Sequence, residues 1–353
     1  MKKKVVSVLL AAAMTTTLVA GCGSTGAADT AADTSAEETT ESTDDTEADA
    51  ADAEETANAG ATYKVAVVKQ MDHASLDEIA NAVEEELDAI AAKNVVTIEY
   101  ETYSGQGDQS TLTQIGTQAV ADGVDAIIPI ATLAAQVMAT CAEDTKTPVV
   151  YAAISDPEAA ELTGIDYVTG TSDALNTTFI MDMMLAQNPD VQKVGLLYSQ
   201  SEANSTKPIA DAKAYLDEKG IAYEEKTANT NDEVITAASA LIADDVDAVF
   251  TPTDNVIMAA ELAIYENLAE AGIPHYTGAD SFVRNGAFAT CGVNYTDLGH
   301  QTADLAYDAM TKGMDDLEDY YLMDGGIITV NTETAAALGI DYSVFNDMGE
   351  VVE

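Results

Sequence analysis

The residues of this chain best placed to do chemistry sit where short apolar runs give way to helical periodicity. Thr132, followed closely by the small residues Ala134 and Ala135, opens one such stretch. A hydroxyl and the free backbone N–H groups of a helix N-terminus hold a carboxylate, because the helix dipole favours negative charge there. Asp156, Asp254 and Asp280 stand at the ends of other apolar runs, with Asn255 beside the second, and could receive a cation such as an ammonium group. Ser201, Glu202, Asn204 and Ser205 open a helix after a further strand and could donate or accept. His73, shortly after the run Val65–Val68, and Gln109, in a Gly-rich loop, complete the set. A plainer reading stays open for several of them. Thr132, Asp254 and the Ser201–Ser205 group are also helix caps, and Asp156 before Pro157 is also a turn signal.

These residues make recognition chemistry, not a reaction. Serines are plentiful, but no positioned base accompanies one, so no nucleophilic set and no catalytic residue is expected. Three scattered histidines give neither metal-ligand spacing nor H-E-x-x-H, and no metal or cofactor is expected. The loop Gly105–Gln109 lacks the full dinucleotide fingerprint, and there is no G-x-x-x-x-G-K-[ST] loop for a nucleotide phosphate.

The elements that must position these side chains are written twice. Lys64–Val68 matches Lys193–Leu197, Val124–Pro129 matches Val246–Phe250, and Thr147–Asp156 matches Ile273–Asp280, in the same order. Three ordered matches point to a duplicated lobe. Each apolar run is followed by turn residues and then by a 3.6-period stretch, which predicts strand–helix alternation and parallel sheets. Ser75 and Glu78 have capping-box spacing ahead of a stripe of Leu76, Ile79, Val83, Leu87 and Ile90, and Thr230 and Glu233 repeat the spacing before Val234.

The fold expected is α/β: two doubly wound, Rossmann-like lobes joined by a hinge, with a cleft at the carboxyl ends of their strands. Candidate crossovers are Tyr167–Thr171 and Gly292–Tyr295, and a helix from Thr296 to about Lys312 should return to the first lobe. The expected division is an N-terminal lobe of residues 62–170 and 296–322 and a C-terminal lobe of 171–295 and 323–353.

Ahead of the lobes, residues 1–21 read as a secretion signal: three lysines, an apolar run from Val5 to Ala13 too short to span a bilayer, and small residues before Cys22. Residues 22–61 read as a disordered tether, with twelve acidic residues and no basic one between Ala27 and Gly60. The whole chain carries a formal charge of −48, and the part after the tether keeps 50 acidic against 11 basic residues. Such a surface repels nucleic acid and anionic lipid. Membrane contact is therefore expected only through an anchor. Cys141 and Cys291 read as small buried hydrophobes.

Two resemblances add to this. The segment ending Leu18-Val-Ala-Gly-Cys22 resembles the lipobox of bacterial lipoproteins, which implies that Cys22 is lipidated and becomes the mature N-terminus. The ordered segments GDQST (107–111), IATLAAQ (130–136), ISDP (154–157), VTGTSD (168–173), YSQSEANS (198–205), TPTDN (251–255) and the run from Gly278 to Thr302 resemble the substrate-binding lipoproteins of ABC importers whose members bind tryptophan and other aromatic amino acids. That resemblance spans about 62–340. It implies a type I periplasmic-binding-protein fold, hinge closure on one small amino acid, and a monomer on the outer face of the membrane or in the periplasm. The partners implied are a membrane permease and a separate ATPase chain.

On that reading Thr132 leads for the ligand carboxylate and Asp254 or Asp280 for its ammonium, while Thr171, Ser172 and Asp173 shape the crossover. Arg284, the one arginine, clamps a carboxylate only if it points inward. A ligand-sensing receptor component with the same cleft, and a binder of a nucleoside or sugar, remain alternatives.

Overall fold

The computed structural model describes residues 59–353. The expected signal segment, Cys22 and nearly all of the tether lie outside the described residues. The order of elements is β1 (Thr62–Lys69), α1 (Ala74–Asn94), β2 (Thr97–Ser104), α2 (Gln109–Ala121), β3 (Ala126–Ile130), α3 (Thr132–Cys141), β4 (Val149–Tyr151) and β5 (Val168–Ser172). Then come α4 (Thr177–Gln187), β6 (Lys193–Tyr198), α5 (Thr206–Lys219), β7 (Ala222–Thr227), α6 (Asn231–Ala243), β8 (Ala248–Thr251), α7 (Asn255–Glu270), β9 (His275–Thr277), α8 (Asp280–Arg284) and β10 (Ala289–Gly292). The chain finishes with α9 (Tyr295–Lys312), β11 (Tyr321–Leu322), β12 (Ile327–Val330), α10 (Thr332–Leu338) and β13 (Val351–Val352).

The strands form two sheets, ordered β11-β5-β4-β3-β1-β2 and β13-β12-β10-β9-β8-β6-β7. With β6 to β10 set against β1 to β5, both run 2-1-3-4-5, a doubly wound order with helices on both faces. The sequence matches fall on equivalent strands: β1 with β6, β3 with β8, β4 with β9. Pairing within both sheets is parallel except between β10 and β12. Val65–Val68 and Ala126–Ile130 are buried throughout, as strands covered on both faces must be.

The stretch expected as a first crossover, Tyr167–Thr171, is mostly β5, a strand of the first sheet, and the chain leaves that sheet only after Ser172. It comes back through Val293 and Asn294 into α9, and passes over again between β11 and β12. α9 packs on α1. Gly299 makes this possible: a Cβ there would lie 2.6 Å from Ala82 Cβ and 2.8 Å from the Ile79 carbonyl oxygen.

The two capping boxes part company. At α6, Thr230 accepts the Glu233 N–H at 3.3 Å and the Glu233 carboxylate accepts the Asn229 N–H at 2.8 Å. At α1 the N-cap is His73, whose side chain makes no capping hydrogen bond. Ser75 instead pairs with Ser281 on α8, and Glu78 with Arg284 on α8 and Thr296 on α9. What reads locally as a cap is a set of contacts across the molecule.

Candidate functional site

The carboxyl ends of β1, β3, β4 and β5 face those of β6, β8 and β9, and the loops between them enclose a small cavity. Its volume is about 20 Å³, room for about one water. The cleft is closed. His73 at the N-cap of α1, Leu76 and Ile79 on α1, Ala131 and Thr132 at α3, and Ala153, Ser155 and Asp173 after β4 and β5 form one wall. Asn204, Thr253, Asp254, Asn255, Met258, Ala279 and Phe282 form the other, and Tyr295 closes the base.

Two loop residues on the first wall hold strained backbone. Ala131 has φ 76° and ψ 161°, and Ala153 has φ 59°. Such conformations cost an alanine roughly 1–3 kcal/mol each and persist where neighbours over-determine them. Here the Ala131 N–H donates to the Ala152 carbonyl at 3.1 Å, tying the two loops together. On the second wall Gly278 lets its loop approach Thr253, whose backbone N would be 2.6 Å from any Cβ at that position.

Asp173 is buried at the base. It accepts from Ser155 Oγ at 2.9 Å and from Tyr295 Oη at 3.0 Å, and Ser155 in turn meets Thr253 Oγ1 at 3.1 Å across the cleft. Burial pushes the Asp173 carboxyl up, against the pull of its two hydroxyl donors, and drives the Tyr295 phenol well above its ordinary range. A buried carboxylate with only neutral donors is an electrostatic site for a cation.

Asp254 is the contrasting case. One oxygen accepts the Val256 and Ile257 N–H groups, both at 3.1 Å, and the other accepts the Ser199 N–H and Ser205 Oγ, both at 2.7 Å. All four lone-pair directions are spent within the second lobe: the N-cap role uses one oxygen, and the loop after β6 uses the other. Its neighbour Asn204 gives its amide N–H to the Thr253 carbonyl at 2.6 Å and leaves Oδ1 buried without a partner.

A chain of side chains runs across the cleft. The Leu133 N–H donates to Gln70 Oε1 at 3.0 Å, Gln70 Nε2 donates to Glu202 Oε1 at 2.8 Å, and Asn255 Nδ2 donates to Glu202 Oε2 at 2.6 Å. Asn255 Oδ1 then meets His73 Nε2 at 3.0 Å, while His73 Nδ1 is buried without a partner. Burial, and next the charge of Asp254, push the Glu202 carboxyl up to about 7. Burial pushes the His73 imidazole down to about 4.

The remaining expected site residues are placed as follows. Thr132 is the first residue of α3 and lines the cavity, whereas Ala134 and Ala135 are buried in the first lobe's core. Asp156 caps the turn that follows it, accepting the Ala159 N–H at 3.0 Å. Ser201 is exposed and bonds Ser199; Gln109 is exposed at the start of α2. Asp280 lies outside the cavity wall, paired with Arg284, which also reaches Glu78 on α1. Arg284 therefore points along the rim and bridges the lobes. The sequence reading missed Asp173 as a cavity residue and passed over Gln70, Ser155, Thr253, Met258, Phe282 and Tyr295. The first belonged to VTGTSD, but nothing local says which way its carboxylate turns.

Comparison with known proteins agrees with this architecture. The chain is 28% identical over 280 residues to a tyrosine-binding protein of Clostridioides difficile, covering 78% of this chain and 80% of that protein. Its fold matches a Streptococcus pneumonia ABC domain in complex with L-Trp at TM-score 0.73 and 29% identity, covering 82% of this chain and all of that one. The ligand-free, open structure of a substrate-binding protein with adhesive properties from Clostridium difficile matches at 0.62 and 26% identity, with 82% and 99% covered. At similar identity, the ligand-bound relative fits better than the open one, in keeping with a closed cleft. The family described as ABC transporter substrate binding protein matches residues 64–344. With two 2-1-3-4-5 lobes closed on a cavity between their strand ends, the chain belongs to that family and has the type I periplasmic-binding-protein fold.

Proposed function

We propose that this is a lipid-anchored, extracytoplasmic binding protein that closes on one amino acid with an aromatic side chain and presents the closed form to an ABC permease powered by a separate ATPase chain. The observation that carries this reading is the make-up of the inter-lobe cavity. Asp173 and the bare Asn204 Oδ1 offer acceptors to an ammonium group. Thr132 and the N-terminus of α3 offer donors to a carboxylate. Leu76, Ile79, Met258 and Phe282 offer an apolar wall to a ring. Tyrosine and tryptophan binding by the relatives named above supports the aromatic class.

The cavity of about 20 Å³ is far below the roughly 300 Å³ of an ordinary ligand pocket. The ligand thus enters an open cleft, before the contacts between the lobes form. The contacts between lobes, Gln70 with Glu202, His73 with Asn255 and Ser155 with Thr253, are those that opening breaks.

The test is the thermal midpoint of the purified protein, stripped of bound solute by unfolding and refolding, against amino acids, nucleosides and sugars. A ligand at 100 times its dissociation constant stabilises by about 2.7 kcal/mol. A selective rise with an aromatic amino acid supports the reading, and a rise only with a nucleoside or sugar overturns the ligand class. Lipidation is tested separately: Cys22→Ala should move the protein from the membrane fraction to the soluble one. Continued extraction only by detergent overturns the anchor.

A further inference from the structure

With Glu202 ionised, the hydrogen-bond chain across the cleft has a fixed direction, and that direction settles which His73 nitrogen carries a proton. It starts from a backbone N–H, which can only donate: Leu133 donates to Gln70, so Gln70 presents its carbonyl there and its NH₂ to Glu202. Glu202 accepts from Gln70 at one oxygen and from Asn255 at the other. Asn255, having turned its NH₂ to Glu202, presents its carbonyl to His73 Nε2, which must therefore be N–H. Burial keeps the imidazole neutral, pushing it down to about 4. The bare lone pair of a neutral imidazole is then on Nδ1, the atom that is buried without a partner in the residue that lines the cavity beside Leu76. A buried acceptor with no donor is costly unless something supplies one.

We propose that His73 Nδ1 accepts a hydrogen bond from the ring of the ligand, so that the site selects an aromatic amino acid bearing a phenol O–H or an indole N–H over one with a bare ring. This rests on the amino-acid reading above. Phenylalanine fills the same apolar wall but leaves Nδ1 unsatisfied, and a site built around a hydrogen bond rejects the analogue that lacks it. Glu202, Gln70 and Asn255 act here as positioning residues: they set the tautomer and touch no ligand through it.

Calorimetric titration of the purified chain with L-tyrosine, L-tryptophan and L-phenylalanine tests this. The native protein should bind at least one ring-donor ligand about tenfold or more tighter than phenylalanine. His73→Leu should weaken that ligand by a similar factor and leave phenylalanine within about twofold. Equal weakening of all three, the result expected if Nδ1 accepts from the ammonium, overturns the proposal, as does a native protein without preference. Failure of the native protein to bind any of the three overturns the amino-acid reading itself. A measurement without substitution guards against a variant that misfolds: ¹⁵N spectra of the imidazoles, taken at a pH above the Glu202 value of about 7, should show His73 protonated at Nε2. Its Nδ1 resonance should shift with the tighter-binding ring-donor ligand but not with phenylalanine. A proton on Nδ1 overturns the proposal.

Discussion

The two ionisable groups in the cross-cleft chain titrate in opposite directions, and the pH dependence of ligand binding follows from that opposition. Closing the cleft covers Glu202 with Gln70 of the first lobe, and in the closed form burial, and next the charge of Asp254 on its own lobe, raise its carboxyl from 4.5 to about 7. Closure therefore takes up a proton between these values and is favoured as the pH falls through them. His73 moves from 6.5 to about 4 on burial, with Asn255 its hydrogen-bond partner and Lys69, Asp72 and Asp77 its charged neighbours. Closure expels a proton from His73 and is disfavoured as the pH falls.

Each shift is about 2.5 units, or roughly 3 kcal/mol when fully expressed at 1.36 kcal/mol per unit. Between about pH 8 and pH 5 the Glu202 cost falls by roughly 2.5 kcal/mol while the His73 cost rises by roughly 2 kcal/mol. The native protein's affinity should stay flat across this range to within about fivefold. The variants should not. His73→Leu leaves only the glutamate, so affinity for a test amino acid should rise tens of fold from about pH 8 to pH 5. Glu202→Gln leaves only the histidine, so affinity should fall by roughly thirtyfold over the same range. Calorimetry at four pH values, with each variant expressed as a ratio to the native protein, removes the titration of the ligand and of Asp173 and Asp254. Parallel pH profiles in all three proteins would refute the reasoning.

Other outcomes follow from single contacts. Asp173→Asn keeps the shape and one of the two acceptor oxygens used by Ser155 and Tyr295 but removes the charge, and should weaken amino-acid binding by about 2 kcal/mol or more by calorimetry; unchanged affinity would remove Asp173 from the ammonium site. Arg284→Met breaks the rim bridge between Glu78 and Asp280, but Arg284 is half exposed, so the loss of affinity should stay under about 1 kcal/mol. That loss should shrink as ionic strength is raised. Gly299→Ala pushes α9 off α1 and should cost about 1–3 kcal/mol, read as a thermal midpoint several degrees lower.

The architecture was legible because periodicity and repetition are properties of whole segments: Val65–Val68 and Lys193–Leu197 announce equivalent strands wherever their side chains finally pack. The site was less so, because its chemistry turns on where single oxygen atoms point. Asp254 and Asp173 are both acids at loop ends, yet one spends every lone pair on its own lobe and the other faces the cavity with only hydroxyls around it. Ser75 and Glu78 satisfy a local spacing rule while bonding to residues more than 200 positions away. The positive φ of Ala131 leaves no trace in the sequence, since glycine, which would have signalled it, is not the residue used. The place of His73 after a strand is legible in the sequence, but its tautomer depends on a backbone N–H at Leu133 that no spacing connects to it.

The threading of the chain between the sheets has a consequence for biosynthesis. By the time β5 has been made, the first lobe has all of its strands but one and lacks the helix that covers α1; that helix, α9, and the edge strand β11 are encoded after the whole 2-1-3-4-5 set of the second lobe. A nascent chain cannot finish its first half before its second is nearly complete, so the two halves mature together rather than in succession. The surface of α1 around Ala82, which Gly299 approaches so closely, waits uncovered for over 200 residues of elongation. Substitutions at that crossing should therefore lower yield more than they lower the stability of molecules that have already folded.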